Sequence, residues 1–94
     1  MMNMDRFVTT RIISQKCRYA LRAMFELASR RGGEASKIAD IAAAQAIPTR
    51  FLEIILNQLR QGGFVESKRG SDGGYMMVRD PRNISVGQII TFIQ

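Results

Sequence analysis

The chain has 94 residues, with 14 Lys and Arg against 8 Asp and Glu, a formal charge of +6, no His and a single Cys. A chain this short makes one small domain, which buries only ~60% of the surface its unfolded form exposes. It holds no apolar run near the ~20 residues that span a bilayer, its lone cysteine cannot close an internal disulfide, and no carboxylate pair lies in an acid–base or metal-binding motif to organise catalysis.

The expectation is therefore a non-enzymatic protein of the cytoplasm with no membrane partner, and the charge favours an anionic one. Of the 14 cations 11 are Arg, whose planar fork of donors suits phosphate oxygens and guanine edges better than the point charge of Lys. Many small domains are basic, so position has to decide. Residues 1–13 show no turn-by-turn pattern and, with Asp5, Arg6 and Arg11, form no secretory segment; they read as a flexible tail.

Ser14 is placed to cap a helix over 15–31 with an apolar stripe of Cys17, Leu21, Met24, Phe25 and Ala28, ended by Gly32-Gly33. Cys17 sits in that stripe, which makes it a small buried hydrophobe rather than a redox sensor. Another face carries Arg18, Tyr19 and Arg22, with Glu26 spaced to pair with Arg22. That face is either a solvated surface with one salt bridge or a phosphate-contacting one; charge position alone fits both.

A short link with Ser36 as cap leads into a helix over 38–45, then a hinge at Gln45-Ala46-Ile47 and a second helix over 48–61. Pro48 suits the first helical position and Gly62-Gly63 the left-handed stop. At 100° per residue Leu52, Ile55, Leu56 and Leu59 form one stripe, with Thr49, Glu53, Asn57 and Arg60 opposite. Ile41, Ala42, Ile47, Leu52 and Ile55 have the spacings of a helix-turn-helix. Taken alone, the pattern also fits a plain core-forming helical hairpin.

Beyond Gly63 the period changes. Strand-length runs over 64–69 and 75–79 flank Gly70-Ser71-Asp72-Gly73-Gly74, a hairpin with Lys68 and Arg69 near its tip. A phosphate-cradling loop is the other use of such glycines, but no helix starts directly after it. Asp80-Pro81-Arg82-Asn83 reads as a turn and Ser85 as the cap of a helix over 86–94. Its Ile89, Ile90, Phe92 and Ile93 either pack on the domain's own core or begin a longer helix or a partner contact.

Helix, helix-turn-helix and basic-tipped hairpin, in that order, make a mainly α fold with a small β-hairpin, a winged helix-turn-helix over 14–94. Cys17-Arg18-Tyr19-Ala20-Leu21-Arg22-Ala23-Met24, Phe51-Leu52-Glu53, Leu59-Arg60-Gln61-Gly62-Gly63-Phe64-Val65, Ser67-Lys68-Arg69-Gly70, Gly73-Gly74-Tyr75 and Ile84-Ser85-Val86-Gly87 closely resemble the Rrf2 family of bacterial transcription regulators. The resemblance implies a homodimer on double-stranded DNA, with recognition helices in successive major grooves and wing tips in the neighbouring minor grooves. It assigns base reading to Glu53, a carboxylate able to accept from a cytosine amino group, and wing contacts to Arg69 with Ser67 beside it. The first polar positions of the family's recognition helix fall on Pro48 and Arg50. Thr49 and Asn57 are added from the helical projection.

Departures from the family also carry information. Ala46 stands where the bend favours Gly, a change that fits an ordinary backbone region, and Cys17 replaces a glycine. Family members run on into a cysteine-bearing segment and a long dimerisation helix that these residues do not include. An iron–sulfur cluster needs several ligands, so none is carried over to Cys17. The leading expectation is a sequence-specific DNA-binding regulator, a repressor, with Arg18, Arg22, Lys68 and Arg69 on phosphates. The competing one is a truncated interaction module that pairs with a longer relative, motivated by the apolar Phe92 and Ile93.

Overall fold

The computed structural model of the chain describes residues 14–94; the tail expected over 1–13 lies outside them. The order is α1 (Gln15–Ser29), α2 (Ile38–Gln45), α3 (Thr49–Gln61), β1 (Val65–Lys68), β2 (Gly74–Met77), a 3-10 turn (Pro81–Asn83) and α4 (Val86–Ile93). Ser14 caps α1 by accepting from the Cys17 amide at 3.1 Å. Ser85 and Gln88 close a reciprocal capping box at the start of α4. Both caps fall where the sequence places them.

Leu52, Ile55, Leu56 and Leu59 of α3, Ile41 of α2 and Cys17, Ala20 and Ala23 of α1 are all fully buried. Phe64, Val65, Ile89 and Ile93 close the same core. Phe92 leans on Phe64, ring centroids 5.3 Å apart. The apolar end of the sequence is thus divided: Ile89 and Ile93 are buried in the domain's own core, while Phe92 stays 42% exposed.

The buried face of α1 differs from the expected stripe. Phe25 is 70% exposed, and burial falls on Cys17, Ala20, Ala23, Met24 and Leu27, a face turned by about a quarter of a turn. The reason is close packing: small Ala20 and Ala23 let α1 approach its neighbours, whereas the bulk of Phe25 would hold them apart.

Three local expectations also change. Ala46 does not keep an ordinary backbone but adopts the left-handed region, φ 52° and ψ 47°. Its neighbour explains why: Ile47 donates to the Ala42 carbonyl at 3.0 Å and buries its side chain, which forces a sharp reversal. Pro48 is the N-cap of α3 instead of its first helical residue. Ser36 is not the cap of α2; Lys37 holds that position without a side-chain bond.

Ser36 instead serves the hairpin. Its amide donates to the Tyr75 carbonyl at 2.8 Å and its carbonyl accepts from the Tyr75 amide at 2.7 Å. β1 and β2 are antiparallel, Val65 opposite Met77 and Lys68 opposite Gly74. Gly74, φ 150°, makes the bridge possible: a Cβ there would run into the Ser36 carbonyl. Gly63, φ 78°, supplies the left-handed stop after α3, and Phe64 donates back to the Leu59 carbonyl at 3.0 Å.

Candidate nucleic-acid interface

Because the seam of α3 is fully buried, its outer surface has a fixed direction. Thr49, Arg50, Glu53, Asn57 and Arg60 are all exposed there. Asn57 Oδ1 accepts from the Arg60 guanidinium at 2.7 Å, so these two form one polar unit. Neither a side-chain cap nor an acidic residue occupies the first turn of α3. Its first-turn amide groups therefore have no side-chain acceptor, and no carboxylate offsets the positive end of its dipole, an arrangement that suits an anion.

On α1, Tyr19 and Arg22 are tied into the helix-turn-helix. The Tyr19 ring meets Phe51 of α3 edge-to-face at 5.2 Å, and the Arg22 guanidinium lies 5.3 Å over the Tyr19 ring. Arg22 also donates to the Gln45 carbonyl, an acceptor left open by the end of α2. Arg22 does not pair with Glu26 as the spacing predicts. Glu26 instead accepts from Gln45 Nε2 at 2.8 Å and Arg30 Nε at 2.6 Å. These bonds, Gln45 first and Arg30 second, hold its carboxyl below the usual range. Arg18, one turn before Arg22, is exposed.

The wing presents Ser67 opposite Tyr75 and Lys68 opposite Gly74. Arg69 begins the tip, which is closed by the Gly73 amide donating to the Gly70 carbonyl at 2.9 Å. All three basic or polar candidates are exposed. A groove of about 490 Å³ runs between the wing and the start of α2, lined by Lys37, Ile38, Ser67, Lys68 and Tyr75 among others. The expected residues thus gather in two groups: Tyr19 and Arg22 beside the first turns of α3, and Ser67 and Lys68 facing Lys37.

Sequence reasoning omitted Lys37, which only the tertiary bridge at Ser36 brings to the wing. It also omitted Ile54, 56% exposed on α3. The same helical projection that selects Asn57 puts Ile54 far from the buried seam, so that signal was available.

Helices α2 and α3 with their left-handed corner, backed by α1 and followed by a two-stranded hairpin, define a winged helix-turn-helix. The chain belongs to the Rrf2 family, described as iron-dependent transcriptional regulators, whose pattern matches residues 13–94. It is 43% identical over 82 residues to a protein of Rhodobacter capsulatus named as an rrf2-like HTH-type transcriptional regulator, covering 84% of this chain and 55% of that protein. It is 36% identical over 81 residues to the HTH-type transcriptional regulator IscR of Escherichia coli, covering 86% and 50%. Among solved structures, IscR of T. potens superposes with a TM-score of 0.82 at 40% identity, over 86% of this chain and 59% of that one. CymR, the global cysteine regulator of B. subtilis, superposes with a TM-score of 0.84 at 36% identity, over 87% and 64%. The chain spans about half the length of the curated relatives it matches.

The family's description raises iron. Among the described residues no group of three or more His, Cys, Asp or Glu is placed to hold a metal. Cys17 is fully buried among apolar side chains, and burial pushes its thiol pKa up, the reverse of what a metal-binding thiolate needs. The described residues do not fit iron. No described helix is long and apolar enough to cross a membrane.

Proposed function

We propose that residues 14–94 are the DNA-reading domain of a sequence-specific transcription regulator, a repressor that acts as a homodimer in the cytoplasm. The observation that carries this reading is the two-sidedness of α3: Leu52, Ile55, Leu56 and Leu59 are fully buried while Glu53 and its outward neighbours are exposed. A helix gripped along its back offers its front to a major groove without loss of side-chain order on the core side.

Each candidate then has a part. Glu53 accepts from a cytosine amino group, and Thr49, Arg50 and Asn57 read or flank the neighbouring base pairs. Arg18, Arg22 and Tyr19 meet the backbone beside the first turn of α3. Ser67, Lys68 and Arg69 reach the adjacent minor groove, where narrow A·T tracts concentrate negative potential. No catalytic step is assigned.

The test is retention of genomic duplex fragments by the chain, followed by titration of a retained fragment at several salt concentrations. Affinity is expected to fall steeply with salt, and Arg69→Ala to lower the logarithmic slope by about two, roughly one for each protomer of the dimer. Glu53→Ala is expected to relax base choice more than it weakens binding. Affinity that is flat in salt would overturn the phosphate contacts, and retention of no fragment would overturn the reading as a whole.

A further inference from the structure

The outward surface of α3 is not uniformly polar. Ile54 is 56% exposed on a helix that fully buries Leu52, Ile55, Leu56 and Leu59. With Pro48, Phe51 and the Arg50 side chain it lines a shallow notch of about 290 Å³ at the N-terminal end of the helix. The notch has a firm floor: Phe51 is held edge-to-face by Tyr19 at 5.2 Å, and Arg22 covers the Tyr19 ring. An apolar notch at this place is therefore a built feature and not a loose side chain on a mobile turn.

Its surroundings say what fits it. Ile54 follows Glu53 in the chain and stands one turn from Arg50, so it shares their groove-facing surface. Arg and Glu recognise guanine and cytosine edges through hydrogen bonds, but neither senses the C5-methyl group that marks thymine in the major groove; an apolar contact does. We propose that Ile54, with Phe51 as the floor of the notch and Pro48 beside it, reads the 5-methyl group of a thymine next to the base pair faced by Glu53, while Arg50 at the rim flanks that base pair. The inference rests on the DNA-reading function proposed above and adds a specificity determinant to it.

The experiment compares thymine with uracil, which differ by that methyl group alone. Duplexes enriched from a random library by the full chain are resynthesised with each thymine replaced in turn by deoxyuridine, and affinities are measured for the unaltered chain, Ile54→Ala and Ile54→Val. At one position per half-site the unaltered chain is expected to lose about fourfold, the worth of one buried methyl group. Ile54→Ala is expected to bind the two duplexes equally there, and Ile54→Val to keep part of the ratio. The readout is a ratio within each variant, so it does not depend on the fraction folded. Indifference of the unaltered chain to uracil at every position, as a notch serving a protein partner would give, overturns the inference. So does an Ile54→Ala variant that keeps the full ratio. Either result leaves the DNA-reading function intact, whereas failure to enrich any duplex removes both.

Discussion

Helix α3 and the wing are both aimed outward, yet they are held in place by different forces. In α3 four side chains are fully buried, whereas in the two strands only Val65 is buried. The base of the hairpin rests on the core through Val65, with Tyr75 and Met77 half-buried against it, and the rest of its seating is backbone pairing, both within itself and through the Ser36–Tyr75 bridge to the start of α2. Hydrophobic seating is shared by many atoms and fails only when the core fails. Backbone seating depends on a few hydrogen bonds of about 1 kcal/mol each, so the wing can release locally while the helices stay folded. The helix is thus the rigid reader and the wing the adjustable clamp.

The largest expected effect is on the helix side. Leu52→Ala removes a fully buried side chain and is expected to cost ~2–5 kcal/mol, seen in urea titration as a shift of one cooperative transition. A loss below ~1 kcal/mol would mean that the seam is not what seats α3.

Gly74→Ala attacks the other mechanism, since its Cβ meets the Ser36 carbonyl and its φ is 150°. The strain of about 1–3 kcal/mol is expected to be relieved by detaching the wing. Amide exchange should accelerate at Ser36 and Tyr75 while α3 keeps its protection. Uniform acceleration across α3 would show that wing and helix form a single cooperative unit, which would break the comparison.

A smaller change, of opposite sign, is expected at the corner between α2 and α3. Ala46 sits at φ 52°, where a side chain costs roughly 1–2 kcal/mol, against about 0.4–1 kcal/mol for the extra freedom that Gly gains in the unfolded chain. Ala46→Gly is expected to stabilise by about 0.5 kcal/mol, a rise of roughly 2–4 °C in Tm.

Acid should separate the two regions most gently. Glu26, which ties α1 to the end of α2, has its carboxyl held below the ordinary 4.5 by Gln45 and then Arg30. Asp80, just past the hairpin and bonded to Arg82, is lowered from 3.8 to about 2. A depressed acid stabilises fully above its unfolded value and loses that contribution as pH falls through its folded value. Stability should therefore decline from about pH 4.5 downward, with the Asp80 share fading last, near pH 2. In urea midpoints measured against pH, Glu26→Gln is expected to flatten the upper part of that decline and Asp80→Asn the lower part. Unchanged slopes in both variants would remove these two carboxylates from the acid response.

Much of this was legible beforehand because it is local. The seam of α3 follows from period alone, the Ser14 and Ser85 caps from side-chain chemistry next to an apolar run, and the hairpin from its glycine-rich turn. The exposed candidates on α3 and the wing follow from the same patterns. What misled was size taken for burial, as at Phe25, and nearest spacing taken for pairing, as at Arg22 and Glu26. Lys37 could not be read as a neighbour of the wing from sequence, because a backbone bridge between residues 36 and 75 puts it there.

The order of residues by itself determined where α1 and α4 begin, which side of α3 turns inward and where the cations gather, since each depends on contacts a few residues apart. Tertiary structure decided which face of α1 is buried, which carbonyl holds Arg22, why Ala46 turns left-handed and what Ser36 bonds to. In each case the competing local options differ little, by roughly 1–2 kcal/mol even at Ala46, and the choice falls to whichever neighbour the rest of the chain brings within reach.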